Sequence, residues 1–369
     1  MIYYTSKSSS VLFNKFLFFI FLNYVNVKEM KVFVTGGTGF IGSHLVDRLV
    51  AEGNEVVCLA IKTSDISHLK ELGVEIVFGD LRNKKSLVNV ARDVDVVFHL
   101  AALARAYEYL GEKDYIETNV EGTRNLLEAF KNHNIDRLIN ISSIEAVGGT
   151  AGRPLTEESP CHPVGIYGQT KRGGELVTLE YYQKYQMPTT IIRLPMTYGP
   201  RNTLLWPRLF NIVRKGFYPI VGNGNTKFEF CFVGNEVEGM IRAAKTKNID
   251  GEVFFISDEK SYRIKEVLNT IAKEMDVNLN IIQLPYSLAY TIAITFESLN
   301  KIFKFYPFSV PETGRPAFSR KTIRWTTKDT WICDISKAKK VLKYKPPFSL
   351  REGLRKTIEW YKEAGLFKI

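Results

Sequence analysis

The segment Thr35-Gly36-Gly37-Thr38-Gly39-Phe40-Ile41-Gly42 constrains this chain more than any other. It follows the apolar run Lys31-Val32-Phe33-Val34 and opens a helical pattern at Ile41, Leu45, Val46, Leu49 and Val50. Strand, glycine turn and helix in that order make the setting a dinucleotide pyrophosphate needs. Glycines let the backbone turn tightly and approach the phosphates, while the helix N-terminus offers free N–H groups and a positive dipole end. The stretch fits G-x-G-x-x-G through Gly37, Gly39 and Gly42, and G-x-x-G-x-x-G through Gly36, Gly39 and Gly42. On its own it also describes an ordinary tight turn between a strand and a helix.

The chain beyond the turn supplies the context. Apolar runs recur at Glu55–Ala60, Glu75–Phe78, Val94–Leu100, Leu138–Ser142 and Thr189–Leu194, with helical patterns clearest at Asp114–Asn134 and Tyr167–Gln186. Such alternation predicts an α/β fold, a doubly wound parallel sheet with helices on both faces. After Pro200 the pattern becomes irregular, with helices expected near Leu205–Lys215, Val237–Lys245, Ile264–Met275, Pro285–Lys304, Ser336–Leu342 and Leu350–Ala364. This reads as a smaller, mixed α/β substrate-binding region over the carboxyl ends of the strands. The expected division is an N-terminal extension at 1–29, a Rossmann domain at 30–195 and the substrate-binding region at 196–369, with a return of the chain to the first domain left open.

Composition bounds the function. A chain of 369 residues can bury a large core, and 45% hydrophobic with 24% charged residues is ordinary for a globular protein. The net charge of +11 suits an anionic ligand, but the basic residues are dispersed and no nucleic-acid motif is present. Lys337, Lys339, Lys340 and Lys343 read as a solvated helical face. Cys58, Cys161, Cys231 and Cys333 lie far apart, without C-x-x-C or a histidine at ligand spacing, so reduced thiols and no metal site are expected. The run Phe16-Leu17-Phe18-Phe19-Ile20-Phe21-Leu22 falls short of the about 20 apolar residues of a membrane span. No small-residue cleavage site follows it. The plainest reading is an upstream extension of a cytoplasmic domain that begins at Met30; a weak membrane anchor is the second.

The chemistry resides in Tyr167-Gly168-Gln169-Thr170-Lys171, which sets a phenol and an ammonium four residues apart, on one face of a helix. The ammonium favours phenolate and brings the tyrosine toward the range where it exchanges a proton with a substrate hydroxyl. Spacing alone decides nothing, because Tyr3/Lys7, Tyr24/Lys28 and Tyr109/Lys113 share it. Position does: only Tyr167 starts a helix after the fifth strand, and only it follows the pair Ser142-Ser143 at that strand's end. A hydroxyl there points into the crevice and can hold the substrate oxygen. The same serines also suit a turn or a helix cap.

With these residues in view, the chain from about Met30 to Gly365 resembles the extended short-chain dehydrogenase/reductase family, the NAD-dependent epimerases and dehydratases. The resemblance rests on the glycine turn, Gly79-Asp80-Leu81, His99-Leu100-Ala101-Ala102, Asn119-Val120-Glu121-Gly122-Thr123, Ser143, Tyr167/Lys171 and Pro195-Met196-Thr197-Tyr198-Gly199-Pro200. It implies that Gly36, Gly39, Phe40, Ile41 and Gly42 hold the cofactor, with Asp80 and Leu81 near its adenine and Ala101 and Ala102 along its groove. It places Pro195 to Tyr198 near the nicotinamide, makes Lys171 a ribose ligand beside Tyr167, and makes Asn119 a structural amide or part of a proton relay. A homodimer through the helices at Asp114–Asn134 and Tyr167–Gln186 is implied as well. The second strand ends Cys58-Leu59-Ala60-Ile61-Lys62, without the acid that favours NAD, so the expected cofactor is NAD(P) with a lean to NADP through Lys62.

Three branches of that family compete. Dehydratases carry an Asp-Glu pair after the active-site hydroxyl; this chain has Ile144-Glu145. Nucleotide-sugar epimerases usually place an asparagine three residues past the arginine of the sixth strand and an arginine before an Asp-Phe segment. Counting from Arg193 gives Met196, and Phe228 precedes Glu229-Phe230. The 3β-hydroxysteroid and sterol dehydrogenase-like branch fits better through Phe230-Cys231-Phe232-Val233-Gly234-Asn235-Glu236-Val237. The aromatic stretch at Pro285–Pro307 reads as a core helix, a wall for a greasy small-molecule substrate or a surface for weak membrane contact. Hydride transfer at a secondary alcohol or ketone is thus the expected activity, with sugar epimerisation as the alternative. A non-catalytic dinucleotide sensor, the reading from another class, would typically have lost Tyr167 or Lys171.

Overall fold

The computed structural model describes residues 29–369 apart from 89, 91–92, 105–109, 150–152, 204–205, 304–308, 311–314, 317–318, 321–322, 324–330 and 368–369. The expected extension at 1–29 lies outside them except for Glu29, as do Leu205, Phe305 and Tyr306.

The first half alternates as its apolar runs predict. Its strands are β1 (Lys31–Thr35), β2 (Glu55–Ala60), β3 (Glu75–Phe78), β4 (Val96–His99), β5 (Arg137–Ser143) and β6 (Thr189–Leu194). The helices between them are α1 (Phe40–Ala51), α2 (Ser67–Glu71), α3 (Glu112–Ile116), α4 (Gly122–Phe130) and α5 (Gly165–Tyr185). The helix expected at Asp114–Asn134 is α3 and α4 joined by a π turn at Glu117–Glu121, and it ends at Phe130, where His133 N–H bonds back to the Phe130 carbonyl.

The second half contributes β7 (Met196–Tyr198), β8 (Phe217–Val221), β9 (Lys227–Phe228), β10 (Phe230–Phe232), β11 (Val253–Phe255), β12 (Tyr262–Arg263) and β13 (Asn280–Leu284). Its helices are α6 (Trp206–Arg214), α7 (Val233–Lys245), α8 (Ile264–Glu274), α9 (Tyr286–Phe303), α10 (Ser336–Val341) and α11 (Leu350–Glu363). The pairing of β8 with β13 has no counterpart in the sequence reading, because Pro219 in mid-strand hides the strand pattern.

The central sheet has seven parallel strands in the order β11-β6-β5-β4-β1-β2-β3. Chain order reverses between β1 and β4, which opens a crevice at their carboxyl ends. The expected border at residue 195 is therefore not a border of the sheet: β11 pairs with β6, Val253 opposite Ile191, and closes that edge.

Strand alternation divides the core. Val32, Val34, Val56 and Cys58 pack on one face with Phe98 and Ile192, whereas Phe33, Val57 and Leu59 pack on the other with Val97 and Leu138. A separate aromatic core fills the second half, where Trp206 packs against Tyr198, Phe210 and Phe230. Phe40 and Ile41, at the start of α1, pack against this core too, so the helix behind the glycine turn wedges between the two halves.

Helix α9 is peripheral. It buries Ala289 and Ala293, stacks Tyr286 on Tyr290 and leaves Leu288 and Ile294 exposed. Among the described residues no helix is long and apolar enough to cross a membrane, and all four cysteines are free thiols.

Candidate active site

The glycine turn closes on itself. Gly39 N–H donates to the Gly36 carbonyl at 3.0 Å, and Gly36 has φ +75°. A Cβ on Gly42 would lie 2.0 Å from the Gly36 oxygen, and one on Gly36 would lie 2.7 Å from the Ala101 nitrogen. Only glycine permits these approaches. No side chain caps α1 and no acid sits in its first turn, so its N–H groups and dipole end face the crevice. A Cβ on Gly39 would meet only the Gly36 oxygen, at 3.2 Å, and otherwise project into open space. These residues fit a pyrophosphate.

A hydrogen-bonded chain fixes the crevice between β1 and β4. Thr123 Oγ1 donates to the Asn119 carbonyl at 2.7 Å, so it accepts from His99 Nε2 at 2.9 Å. His99 Nδ1 then accepts from Thr35 Oγ1 at 2.8 Å, and Thr35 Oγ1 accepts from Ala101 N–H at 3.2 Å. Burial first and the Lys171 ammonium second press the His99 pKa down to about 3, which keeps the ring neutral, as this chain of bonds requires. Ala101, and Ala102 after it, are thereby held against the glycine turn.

Asn119 is bonded within the fold. Its Oδ1 accepts from Leu103 N–H at 2.7 Å, and its Nδ2 donates to the Leu103 carbonyl at 3.1 Å and to Thr170 Oγ1 at 3.1 Å. The amide is committed to the loop after β4 and to the helix that carries Tyr167. Sequence reasoning missed Thr170, whose only signal is its place beside Lys171.

Tyr167 is half-buried in the first turn of α5. One turn on, Lys171 donates to the Ile141 carbonyl on β5, two residues before Ser143. Burial pushes the Lys171 pKa down to about 8, partly opposed by Glu175 one turn further along. Ser143 is buried and its Oγ accepts from Glu145 N–H at 3.2 Å, capping the turn at Ile144–Ala146. The cap is thus formed, and an accepting Oγ keeps its O–H to donate.

Beneath lies a buried ion pair. Arg193 Nε and Nη2 donate to Glu175 at 2.8 and 2.9 Å, with Arg172 on the same carboxylate at 2.8 Å. Burial alone would raise the Glu175 pKa, but the Arg193 guanidinium brings it below the usual carboxylate range.

Other expected site residues fall differently. Asp80 is clamped by Arg82 Nη2 at 2.6 Å, and Leu81 turns its side chain into the core. Lys62 is exposed beyond β2. Pro195 is buried. Tyr198 is not a groove residue: its ring is wholly buried in the aromatic core against Trp206 and Phe232, and its hydroxyl donates to Asp258 at 3.3 Å. Strand alternation turns Thr197 the other way, half-exposed, with Oγ1 donating to the buried Glu236 at 2.8 Å. Phe228 is also core, so the position where an epimerase's arginine was sought does not face a ligand.

The chain was compared with known proteins. The model of the NAD-dependent epimerase/dehydratase family matches residues 32–257. A 4-hydroxy-2-methyl-3-oxo-4-farnesyl-3,4-dihydroquinoline-1-oxide ketoreductase from Stigmatella aurantiaca is 28% identical, over 88% of this chain and 95% of its own. A 3beta-hydroxysteroid-dehydrogenase/decarboxylase from Arabidopsis thaliana is 28% identical, over 91% of this chain and 80% of its own. The solved structure of UDP-glucuronic acid 4-epimerase from Bacillus cereus, in complex with UDP-glucuronic acid and NAD, is 26% identical with a TM-score of 0.68. It covers 91% of this chain and all of its own.

Proposed function

The chain belongs to the NAD-dependent epimerase/dehydratase family of enzymes, and from that premise we propose that it moves a hydride at a secondary alcohol or ketone of an apolar small molecule. The observation that carries this reading is the Lys171 ammonium held on the Ile141 carbonyl, on one helical face with Tyr167 and two residues along β5 from Ser143. The nicotinamide ring, when bound, supplies or takes up the hydride. Ser143 donates its O–H to the substrate oxygen. Tyr167 gives that oxygen a proton in reduction and removes it in oxidation. Lys171 holds the tyrosine near its working range and binds the nicotinamide ribose. Gly36, Gly39, Gly42 and the first amides of α1 take the pyrophosphate.

An apolar substrate is supported by Met196, which stands where a polar diphosphate ligand would, and by the ketoreductase and hydroxysteroid dehydrogenase among the relatives. Nucleotide-sugar epimerisation is the second reading, favoured by the likeness to the UDP-glucuronic acid 4-epimerase. A homodimer is supported by Ile116 on α3 and Leu176 on α5, exposed at 40% and 52%.

The test is turnover with hydroxysteroids and ketones against nucleotide sugars. Net change in nicotinamide absorbance supports the first reading, and isomerised sugar without it supports the second. Tyr167→Phe should abolish turnover while dinucleotide binding survives; undiminished turnover would remove Tyr167 from its role.

A further inference from the structure

A carboxylic acid lies under the crevice with no cation to meet it. Glu236, in the first turn of α7, is wholly buried, and among the described residues no basic side chain pairs with it. Its Oε1 accepts from Thr197 Oγ1 at 2.8 Å, and its Oε2 has no hydrogen-bond partner among the described residues. The nearby Asp258 is an acceptor itself, already taking Phe232 N–H at 3.0 Å, Asn235 Nδ2 at 2.6 Å and the Tyr198 hydroxyl at 3.3 Å. Burial pushes the Glu236 pKa well above the usual carboxylate range. An apolar side chain would fill this place at less cost. What the acid supplies is an acceptor for Thr197.

Thr197 is half-exposed and held from both sides. Its carbonyl accepts from Trp206 Nε1 at 3.0 Å and from Asn202 Nδ2 at 3.3 Å, and the bond to Glu236 turns its one hydroxyl proton inward. The hydroxyl therefore presents only lone pairs to the crevice. Its place follows from the sheet: Leu194, the last residue of β6, lies opposite Ser143, and β7 begins two residues later. Met196 packs on the same core as Phe40 and Ile41 of α1. Thr197 thus stands between the first turn of α1, proposed for the pyrophosphate, and Ser143, proposed for the substrate oxygen. A dinucleotide that reaches from one to the other brings its nicotinamide end past Thr197. The ring carries one hydrogen-bond donor, the N–H of its carboxamide.

We propose that Glu236 is a positioning residue: it fixes Thr197 as an acceptor, and Thr197 takes the carboxamide N–H of the nicotinamide ring, so that the pair sets which way the amide lies. The inference rests on the dinucleotide site of the proposed function. Its test is calorimetric titration of the purified chain with three probes. These are the tighter-binding of NADH and NADPH, its reduced 3-acetylpyridine analogue, and the ADP-ribose part of the same dinucleotide. The analogue replaces the carboxamide by a methyl ketone and so lacks the N–H. The parent is set beside Thr197→Ser, Thr197→Val and Glu236→Met.

The parent should bind the carboxamide form about three- to tenfold more tightly than the acetyl form, the effect of one neutral hydrogen bond. Thr197→Ser should keep that ratio. Thr197→Val should bring it near unity, and so should Glu236→Met, which frees the hydroxyl to turn its proton outward. Binding of the ADP-ribose part should not move in any variant, which verifies the fold. A parent ratio near unity, or a ratio unmoved in Thr197→Val or in Glu236→Met, overturns the inference while the dinucleotide site stands. A Thr197 that serves a substrate hydroxyl instead would give that same unmoved ratio. Failure of all three probes to bind the parent overturns the site itself and this inference with it.

Discussion

Asn119 Nδ2 donates to Thr170 Oγ1 at 3.1 Å across the contact between the π turn and α5. Thr170 Oγ1 in turn donates its one proton to the Ile166 carbonyl at 2.9 Å, with the Tyr167 carbonyl 3.1 Å away. One side-chain amide thus sets where the tyrosine helix sits against the loop after β4.

Replacing that amide should separate position from chemistry. Asn119→Leu strands the half-buried Leu103 N–H and carbonyl and should cost about 1–3 kcal/mol, since both groups lose a partner without being wholly buried. Asn119→Asp keeps the acceptor for Leu103 N–H and loses both donors. Urea unfolding should rank Asn119→Leu below Asn119→Asp, and both below the parent. Turnover should fall in both without loss of dinucleotide binding. A proton-relay role would instead leave stability untouched and shift the pH profile.

Lys171 carries a cost that the role proposed for it explains. Its pKa is pushed from 10.5 down to about 8, so holding the charge at neutral pH works against folding. Lys171→Met keeps the stem and removes the ammonium. At pH 7 it should be more stable by about 1–2 kcal/mol, the burial penalty less the lost bond to the Ile141 carbonyl, yet turn over at least about a hundredfold more slowly. The gap between parent and variant should close as pH rises from 8 toward 10.5, where the native lysine gives up its proton before the unfolded one. Loss of stability at pH 7 would count against this account.

Glu229 predicts the opposite slope. It is buried, with Oε1 2.5 Å from Ser257 Oγ and Oε2 accepting from Cys333 N–H at 3.4 Å, while Ser257 Oγ also donates to the Asp258 carbonyl at 2.9 Å. One serine proton serves only one acceptor, so the protonated acid fits best, donating to Ser257 while the serine donates onward. Burial raises the Glu229 pKa to about 7. The native state therefore holds this proton longer than the unfolded chain, and stability falls as pH rises from about 4.5 to about 7. Glu229→Gln, which mimics the neutral acid, should gain about 1–3 kcal/mol over the parent at pH 8 and nothing at pH 4. Melting temperatures of the pair across that range decide it.

Glu175 tests the ion pair under the site. Glu175→Ala leaves the guanidinium of Arg193, 2% exposed, without its carboxylate and should cost about 3–5 kcal/mol. The double variant Glu175→Ala with Arg193→Met should recover most of that loss in chemical denaturation. No recovery would mean that the pair contributes through packing rather than through charge.

How far the sequence reveals this molecule depends on the scale of the interaction. The sheet, the glycine turn and the Tyr167 helix are legible because local patterns make them: runs of period two, helical faces, glycines where backbones nearly touch. Tyr198 is misleading because its motif marks a strand, and motif spacing does not say which face of that strand reaches the groove. Glu229, Ser257 and Cys333 are far apart in the chain, and no local signal announces their contact.

The edge strand β11 also orders events in time. A chain emerging from the ribosome completes β6 at residue 194 with one side of it unpaired, and the partner is not made until residues 253–255. The cofactor half thus cannot finish before much of the substrate half has been synthesised. A fragment ending near residue 200 would display a parallel edge rich in Thr189–Leu194 side chains, open to pairing with another copy. Assembly of the first half is in this sense licensed by the second, and neither half matures as an independent part.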